Sequence, residues 1–256
     1  MRRSAAIAGA VLALASALGW RFWRASVNER QPLPKLMLWA WERPEDLRFL
    51  NPEEAGVAYL AGTVILRGGG IEVRPRLQPL RLPPGIRLLA VVRMEADAED
   101  PPQLGEEQRN RAASAIIHLT DRDGVMGTQT DFDAAVSQRG FYAALVKDLR
   151  ERLPPGRLLS ITALASWCLG DDWIAGLPAD EAVPMLFRMG PDGGEARERL
   201  RRGADFPEPL CRKSFGVSTD EPRPRLRYGR RIYVFHPRAW TEAAAANILR
   251  EARSWR

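Results

Sequence analysis

Two aspartates in this chain, Asp131 and Asp133, have the type and spacing to do chemistry. They end the stretch 124–133, GVMGTQTDFD, which reads as a short strand. Alternate residues of a strand share a face. Both carboxyls therefore point one way and Phe132 points the other. Two carboxylates on one face are costly in a core, and each raises the other's affinity for a proton. Such a pair can hold one acid protonated near neutral pH, as general acid catalysis requires.

An acid pair needs a scaffold, and the chain repeats a rhythm that supplies one. Short apolar runs occupy 36–41, 57–66, 87–94, 124–133, 157–167, 182–189, 214–219 and 231–236. Several are almost continuously apolar, as buried parallel strands are. Amphipathic segments separate many of them. Residues 137–153 place Phe141, Tyr142, Leu145, Val146 and Leu149 on one stripe and stop at Pro154-Pro155. Helices are also expected over 105–119, over 194–203, over 241–255 with Thr241 as N-cap, and briefly after the first strand, where Pro44 suits a first helical position. Eight strand–helix units predict a (β/α)8 TIM-like barrel, with an open doubly wound α/β sheet as the alternative. Residues 67–85 break the rhythm. Gly68-Gly69-Gly70 followed by Ile71 and Val73 reads as a β-hairpin after strand two, which makes the barrel irregular.

In such a barrel, function gathers at the carboxyl ends of the strands. Those ends carry Trp39, Trp41 and Glu42; Arg93 and Glu95; Asp131 and Asp133; Ser166 and Trp167; Arg188; Thr219, Asp220 and Glu221; and His236. The strand starts carry little that is chargeable beyond Arg87, Arg157 and Arg231. Each member also has a plainer reading. The tryptophans could fill a core, His236 could cap a strand before Pro237, and Glu95 could form a surface ion pair. The aspartate pair is the hardest to assign to packing.

The ends of the chain and its totals bound the rest. Arg2 and Arg3 precede an apolar run from Ala5 to Gly19, the layout of a secretory signal. Trp20, Phe22 and Trp23 beside Arg21 and Arg24 suit an uncleaved interfacial anchor equally well. The expected organisation is a signal or anchor over 1–23, a linker over 24–35 and the barrel over 36–256. Either form exports the barrel, to a periplasm and with or without tethering to the inner membrane. The net charge of +6 is carried almost wholly by scattered arginines with no basic stripe, so nucleic acid is not an expected partner. Two His without acidic residues or Cys at ligand spacing make no metal site, and no phosphate loop or nucleophile elbow is present. No cofactor is expected. Cys168 and Cys211 are expected to stay apart. One follows strand five at the carboxyl end, and the other precedes strand seven at the opposite end, beyond the ~7 Å reach of a disulfide.

The motifs Trp39-x-Trp41, Thr130-Asp131-Phe132-Asp133 followed by Ser137-Gln138-Arg139-x-Phe141-Tyr142, and the run from Leu159 to Cys168 resemble the bacterial domain of unknown function 3142 family over about residues 36–240. More distantly, strand four and Met185-Leu186-Phe187 resemble chitinase-type (family 18) glycoside hydrolase barrels. Those carry Asp-x-Asp-x-Glu, with the Glu as acid. Here Ala135 stands at the acid position.

The N-terminal segment, the strand-end residues and the distant resemblance together give the expectation of an exported barrel of glycoside hydrolase type acting on an envelope or extracellular polysaccharide. Asp133 would be the general acid/base and Asp131 would tune it. Glu95 would be the second carboxylate, at a separation that sets retention or inversion. Trp39, Trp41 and Trp167 would stack on sugars, while Arg93, Arg188, Asp220 and His236 would bond hydroxyls or acidic groups. The alternative, favoured by Ala135, is a non-catalytic barrel that binds a glycan or an envelope partner. Membrane contact is expected through the N-terminal segment if it is retained.

Overall fold

The computed structural model describes residues 33–190, 193–222 and 229–253. The signal or anchor expected over 1–23, and all but the end of the linker, lie outside the described residues. Among those described, no helix is long and apolar enough to cross a membrane.

Eight parallel strands form the barrel: β1 (Leu36–Ala40), β2 (Gly56–Arg67), β3 (Leu88–Ala96), β4 (Val125–Asp131), β5 (Leu158–Leu164), β6 (Glu181–Met185), β7 (Ser214–Ser218) and β8 (Arg231–Phe235). Each pairs with the next. β1 pairs with both β8 and β2, which closes the ring and excludes the open sheet. The helices α1 (Glu106–Thr120), α2 (Arg139–Arg152), α3 (Ala165–Leu169), α4 (Gly193–Arg201) and α5 (Glu242–Arg253) follow β3, β4, β5, β6 and β8. The expected helix stripe is buried: Phe141, Tyr142, Leu145, Val146 and Leu149 all face the sheet layer.

Along each strand, one alternate set of residues fills the barrel interior and the other packs beneath the helices. Met37, Trp39, Leu89, Val91, Val183 and Tyr233 form the interior cluster. Two glycines make room for it. A Cβ at Gly216 would lie 2.7 Å from Trp39 Cη2, and one at Gly127 would lie 2.8 Å from Leu89 Cδ1.

The hairpin after β2 is present. The strand Gly70–Pro75 runs antiparallel to the upper half of β2, turning at Gly68-Gly69 with Gly68 in the left-handed region (φ 44°). The lower half of β2 pairs with β1 instead. Arg76, just beyond the hairpin, closes the seam this leaves: its guanidinium donates to the carbonyls of Trp41 and Arg43.

Three expectations are corrected. Pro44 starts no helix. Glu45–Asp46 instead forms a two-residue strand with Leu80–Arg81, and the buried Glu45 carboxylate accepts the Trp240 backbone N–H at 2.8 Å. A buried acceptor that takes a tertiary partner overrides a local helix-start preference.

The strand starts also hold a further charge. Glu181 opens β6 and is buried inside the barrel, accepting from Tyr233 Oη at 2.6 Å and Arg231 Nη1 at 2.7 Å. The apolar run hid it because the strand begins one residue before the run.

Cys168 and Cys211 are joined in a disulfide, with Cα atoms 5.8 Å apart. The expectation placed Cys168 at the strand end, but β5 stops at Leu164 and α3 begins at Ala165 with no loop between. A few residues of helix, at ~1.5 Å each, carry Cys168 back down the outside of the barrel. There it meets the 3-10 turn Pro209–Arg212, which packs against β6 before β7 begins.

Candidate functional site

The carboxyl-terminal mouth of the barrel opens into a cleft of about 1380 Å³. One wall is made by β3 and β4. Thr162, on the inner face of β5, donates to Asp131 Oδ1 at 2.7 Å. Asp133 sits two residues farther out and is exposed to the cleft. Glu95 pairs with Arg93 at 2.9 Å, and Arg93 lies 3.9 Å from Glu42. All of these side chains line the cleft. Phe132 points away from it into the helical layer, where its ring meets Tyr142 edge-on at 5.3 Å. The alternation read from the sequence therefore holds through the end of β4.

Burial pushes the Asp131 carboxyl up to about 6, and the neighbouring negative charges of Asp133 and Glu95 add to the rise. The Thr162 hydrogen bond and Arg93 oppose it. Burial also raises Asp133, again opposed by Arg93. The pair thus retains a proton well above the ordinary carboxylate range.

The facing wall is aromatic. Trp41 meets Phe235 edge-on at 6.5 Å, and Phe235 stacks on Phe187 at 5.6 Å with planes 6° apart. Trp39 lies at the floor. It is buried, stacked on Tyr233 at 5.2 Å, and donates from Nε1 to Gln129 Oε1 at 3.0 Å. Gln129 in turn donates to Ser160 Oγ at 2.8 Å, which satisfies the polar groups buried beneath the cleft. Arg188 stands at the rim, its guanidinium 4.9 Å from the centre of the Phe235 ring.

The cleft therefore brings together Asp131, Asp133, Glu95, Arg93, Trp39, Trp41 and Arg188. Three expected members are elsewhere. Trp167 is 2 % exposed and packs under the helices, 4.7 Å from Trp173. Its parity along β5 is one cause: Ser160 and Thr162 face the barrel interior, so residue 167 falls on the outward side, and α3 then packs the indole into the outer core. Asp220 and His236 line a separate crevice of about 310 Å³. There His236 Nδ1 lies 2.6 Å from Thr219 Oγ1 and the ring rests against Trp240 at 4.9 Å.

Among the lining residues that escaped the reading of strand ends, four carry weight in the site. Thr162, Phe187 and Phe235 sit on inward positions of runs already recognised, and counting alternate residues along each run would have found them. Gln138 lies in the turn after β4. It folds back so that its Oε1 accepts the Ala135 backbone N–H at 2.9 Å. Ala135 itself is exposed and lines the cleft.

No family model matches the chain, and no curated protein matches it. Solved structures do. A candidate chitinase A of Streptomyces coelicolor superposes with a TM-score of 0.50 at 8 % identity, over 86 % of this chain and 96 % of that one. A fungal endo-β-N-acetylglucosaminidase of glycosyl hydrolase family 18 gives 0.45 at 13 % identity over 88 % and 87 % of the two chains. The chitinase domain of the spore coat protein CotE from Clostridium difficile gives 0.44 at 13 % identity over 80 % and 68 %. At such identities the likeness is one of fold: this chain is a (β/α)8 barrel similar to that of the Streptomyces coelicolor protein.

Proposed function

We propose that this chain is an exported barrel of glycoside hydrolase type whose mouth takes an envelope or extracellular polysaccharide. The observation that carries the reading is the pairing of two walls across one cleft. On one side are Asp131 and Asp133, a carboxyl pair that holds a proton close to neutral pH. On the other are Trp41 and Phe235, half-buried rings whose exposed parts give apolar surface to the C–H groups of a sugar. Asp133, the outer carboxyl, is the group that reaches the glycosidic oxygen as general acid. Asp131 sits behind it as the more strongly raised member of the pair, its own proton affinity increased by burial and by the charge of Asp133. Glu95, ion-paired with Arg93, is the second carboxylate. Export of the barrel is supported by the Cys168–Cys211 disulfide, a bond that persists in oxidising compartments. Residues 1–23 would direct export and, if retained, tether the barrel to the inner membrane.

Hydrolysis of a neutral and acidic oligosaccharide panel by the wild-type chain and by Asp133→Asn tests the reading. Loss of turnover in Asp133→Asn with binding retained is expected, because an amide supplies no proton at this position. Turnover that survives the substitution removes Asp133 as the acid.

One observation favours a second reading, a barrel that binds a glycan without cleaving it. Position 135 carries a methyl group and its neighbour Gln138 is neutral, so no acid stands where chitinase-type barrels carry theirs. Binding of the panel with no turnover by the wild type would select this reading.

A further inference from the structure

We infer that Arg188 recognises a negatively charged substituent on the glycan, so that the ligand class of this cleft is an acidic polysaccharide. The inference rests on the glycan reading above and adds the charge and orientation of the ligand.

Arg188 follows β6 with φ 50°, a left-handed conformation that is uncommon outside glycine. The fold holds it there. Its backbone N–H donates to Glu221 Oε1 at 2.9 Å, while the other oxygen of Glu221 pairs with Arg197 at 2.9 Å. The side chain is then laid over the Phe235 face at 4.9 Å, where cation and ring attract. Despite this fixing, the guanidinium is little used by the protein. It makes no hydrogen bond among the described residues, its side chain is 57 % exposed, and its nearest carboxylate, Asp220, is 4.0 Å away. The other arginines lining the cleft are committed. Arg43 donates to Pro237 O at 2.6 Å, Arg93 pairs with Glu95 at 2.9 Å, and Arg199 donates to Leu169 O at 3.2 Å. A planar fork that is oriented but unsatisfied is suited to a carboxylate or a sulfate, which it can bond through two donors at once.

The rest of the cleft fixes the direction. An anionic group near Asp131, Asp133 and Glu95 is repelled, whereas at Arg188 it is attracted. A sugar lying on Trp41 and Phe235 therefore places its charged substituent on the Arg188 side and its glycosidic bond toward Asp133. The chain's net charge of +6 steers such a ligand toward the protein as well. A uronate carboxylate and a sulfate ester share this chemistry.

The test compares binding of chitotetraose, tetragalacturonate and a sulfated tetrasaccharide to the wild-type chain, Arg188→Gln and Arg188→Lys by calorimetry at two salt concentrations. All three proteins keep a side chain at the left-handed position, so the backbone conformation is constant across the set. The wild type is expected to prefer at least one acidic ligand roughly tenfold or more, with the preference shrinking at high salt. Which acidic ligand is preferred tells carboxylate from sulfate. Arg188→Gln is expected to bring the acidic-to-neutral affinity ratio to about one, and Arg188→Lys to restore part of it. A wild type that binds chitotetraose as well as both acidic ligands, or a preference that survives Arg188→Gln, overturns the inference and leaves the glycan reading standing. Binding of none of the three overturns the glycan reading with it.

Discussion

Thr162 on β5 donates a 2.7 Å hydrogen bond to Asp131 at the end of β4, and this single contact ties the proton-holding pair to the barrel wall. The bond favours the ionised form of Asp131. Burial opposes it and wins, since the carboxyl is pushed up to about 6.

That balance predicts how stability changes with pH. Asp131 has a higher proton affinity folded than unfolded, where it titrates near 3.8. Its contribution is fully present below the unfolded value and is lost as pH rises through the folded one. Between pH 4 and pH 7.5 the loss is on the order of 2 kcal/mol. Asp131→Asn has no proton to lose. The difference in unfolding free energy between Asp131→Asn and wild type, from urea titrations, should therefore move in favour of the variant by about that amount across this range. A difference that stays flat with pH would show that Asp131 is not held in an ion-unfavourable site.

Trp41 and Trp167, both expected from the sequence to stack on sugars, should part company. Trp167 is sealed under the helices, so Trp167→Ala should cost roughly 3–5 kcal/mol. Trp41 is half-buried at the mouth, so Trp41→Ala should cost far less stability and abolish oligosaccharide binding. Thermal melts and calorimetry on both variants check this. Equal stability losses would make Trp41 a packing residue.

Joining Cys168 to Cys211 closes a loop across a sequence separation of 43. Constraint of the unfolded chain by such a loop is worth up to roughly 4 kcal/mol. The Cys168→Ala/Cys211→Ala double variant should lose ~2–4 kcal/mol in denaturant. Denatured, unreduced wild type should show no free thiol on titration.

Gly216 should tolerate no side chain. Its Cβ position lies 2.7 Å from Trp39 Cη2 and 3.0 Å from Cζ3, so Gly216→Ala should cost ~1–3 kcal/mol through overpacking. Trp39→Phe, which withdraws the six-membered ring from that position, should recover part of the loss. A double variant no more stable than Gly216→Ala would locate the strain elsewhere.

Much of this architecture was legible because barrel strands buried on both faces write themselves as apolar runs. The hairpin announced itself through consecutive glycines. The acid pair was legible for a different reason: Asp131, Phe132 and Asp133 alternate polarity at a strand end, and periodicity two is a local property. What escaped depended on non-local structure. Ala165-Ser166-Trp167-Cys168-Leu169 continues the apolar run of β5 with no Gly or Pro to mark its end, and an apolar run does not tell strand from helix. That one boundary moved Cys168, while Trp167 was already on the outward parity set by Ser160 and Thr162. Pro44 was misread because the partner that decides its conformation, Trp240, lies far along the chain. Asp220 and His236 do end strands β7 and β8, but the crevice they line is set by how α5 packs beside those strands, which no spacing encodes.

The central claim is that the mouth of this barrel holds a glycan between its acidic and aromatic walls. A crystal structure of the Asp133→Asn chain grown with the oligosaccharide panel tests it most directly. The account predicts a sugar ring against Trp41 and Phe235, with the glycosidic oxygen within hydrogen-bond reach of position 133. A ligand seated elsewhere, or a cleft that stays empty at saturating oligosaccharide, would contradict it.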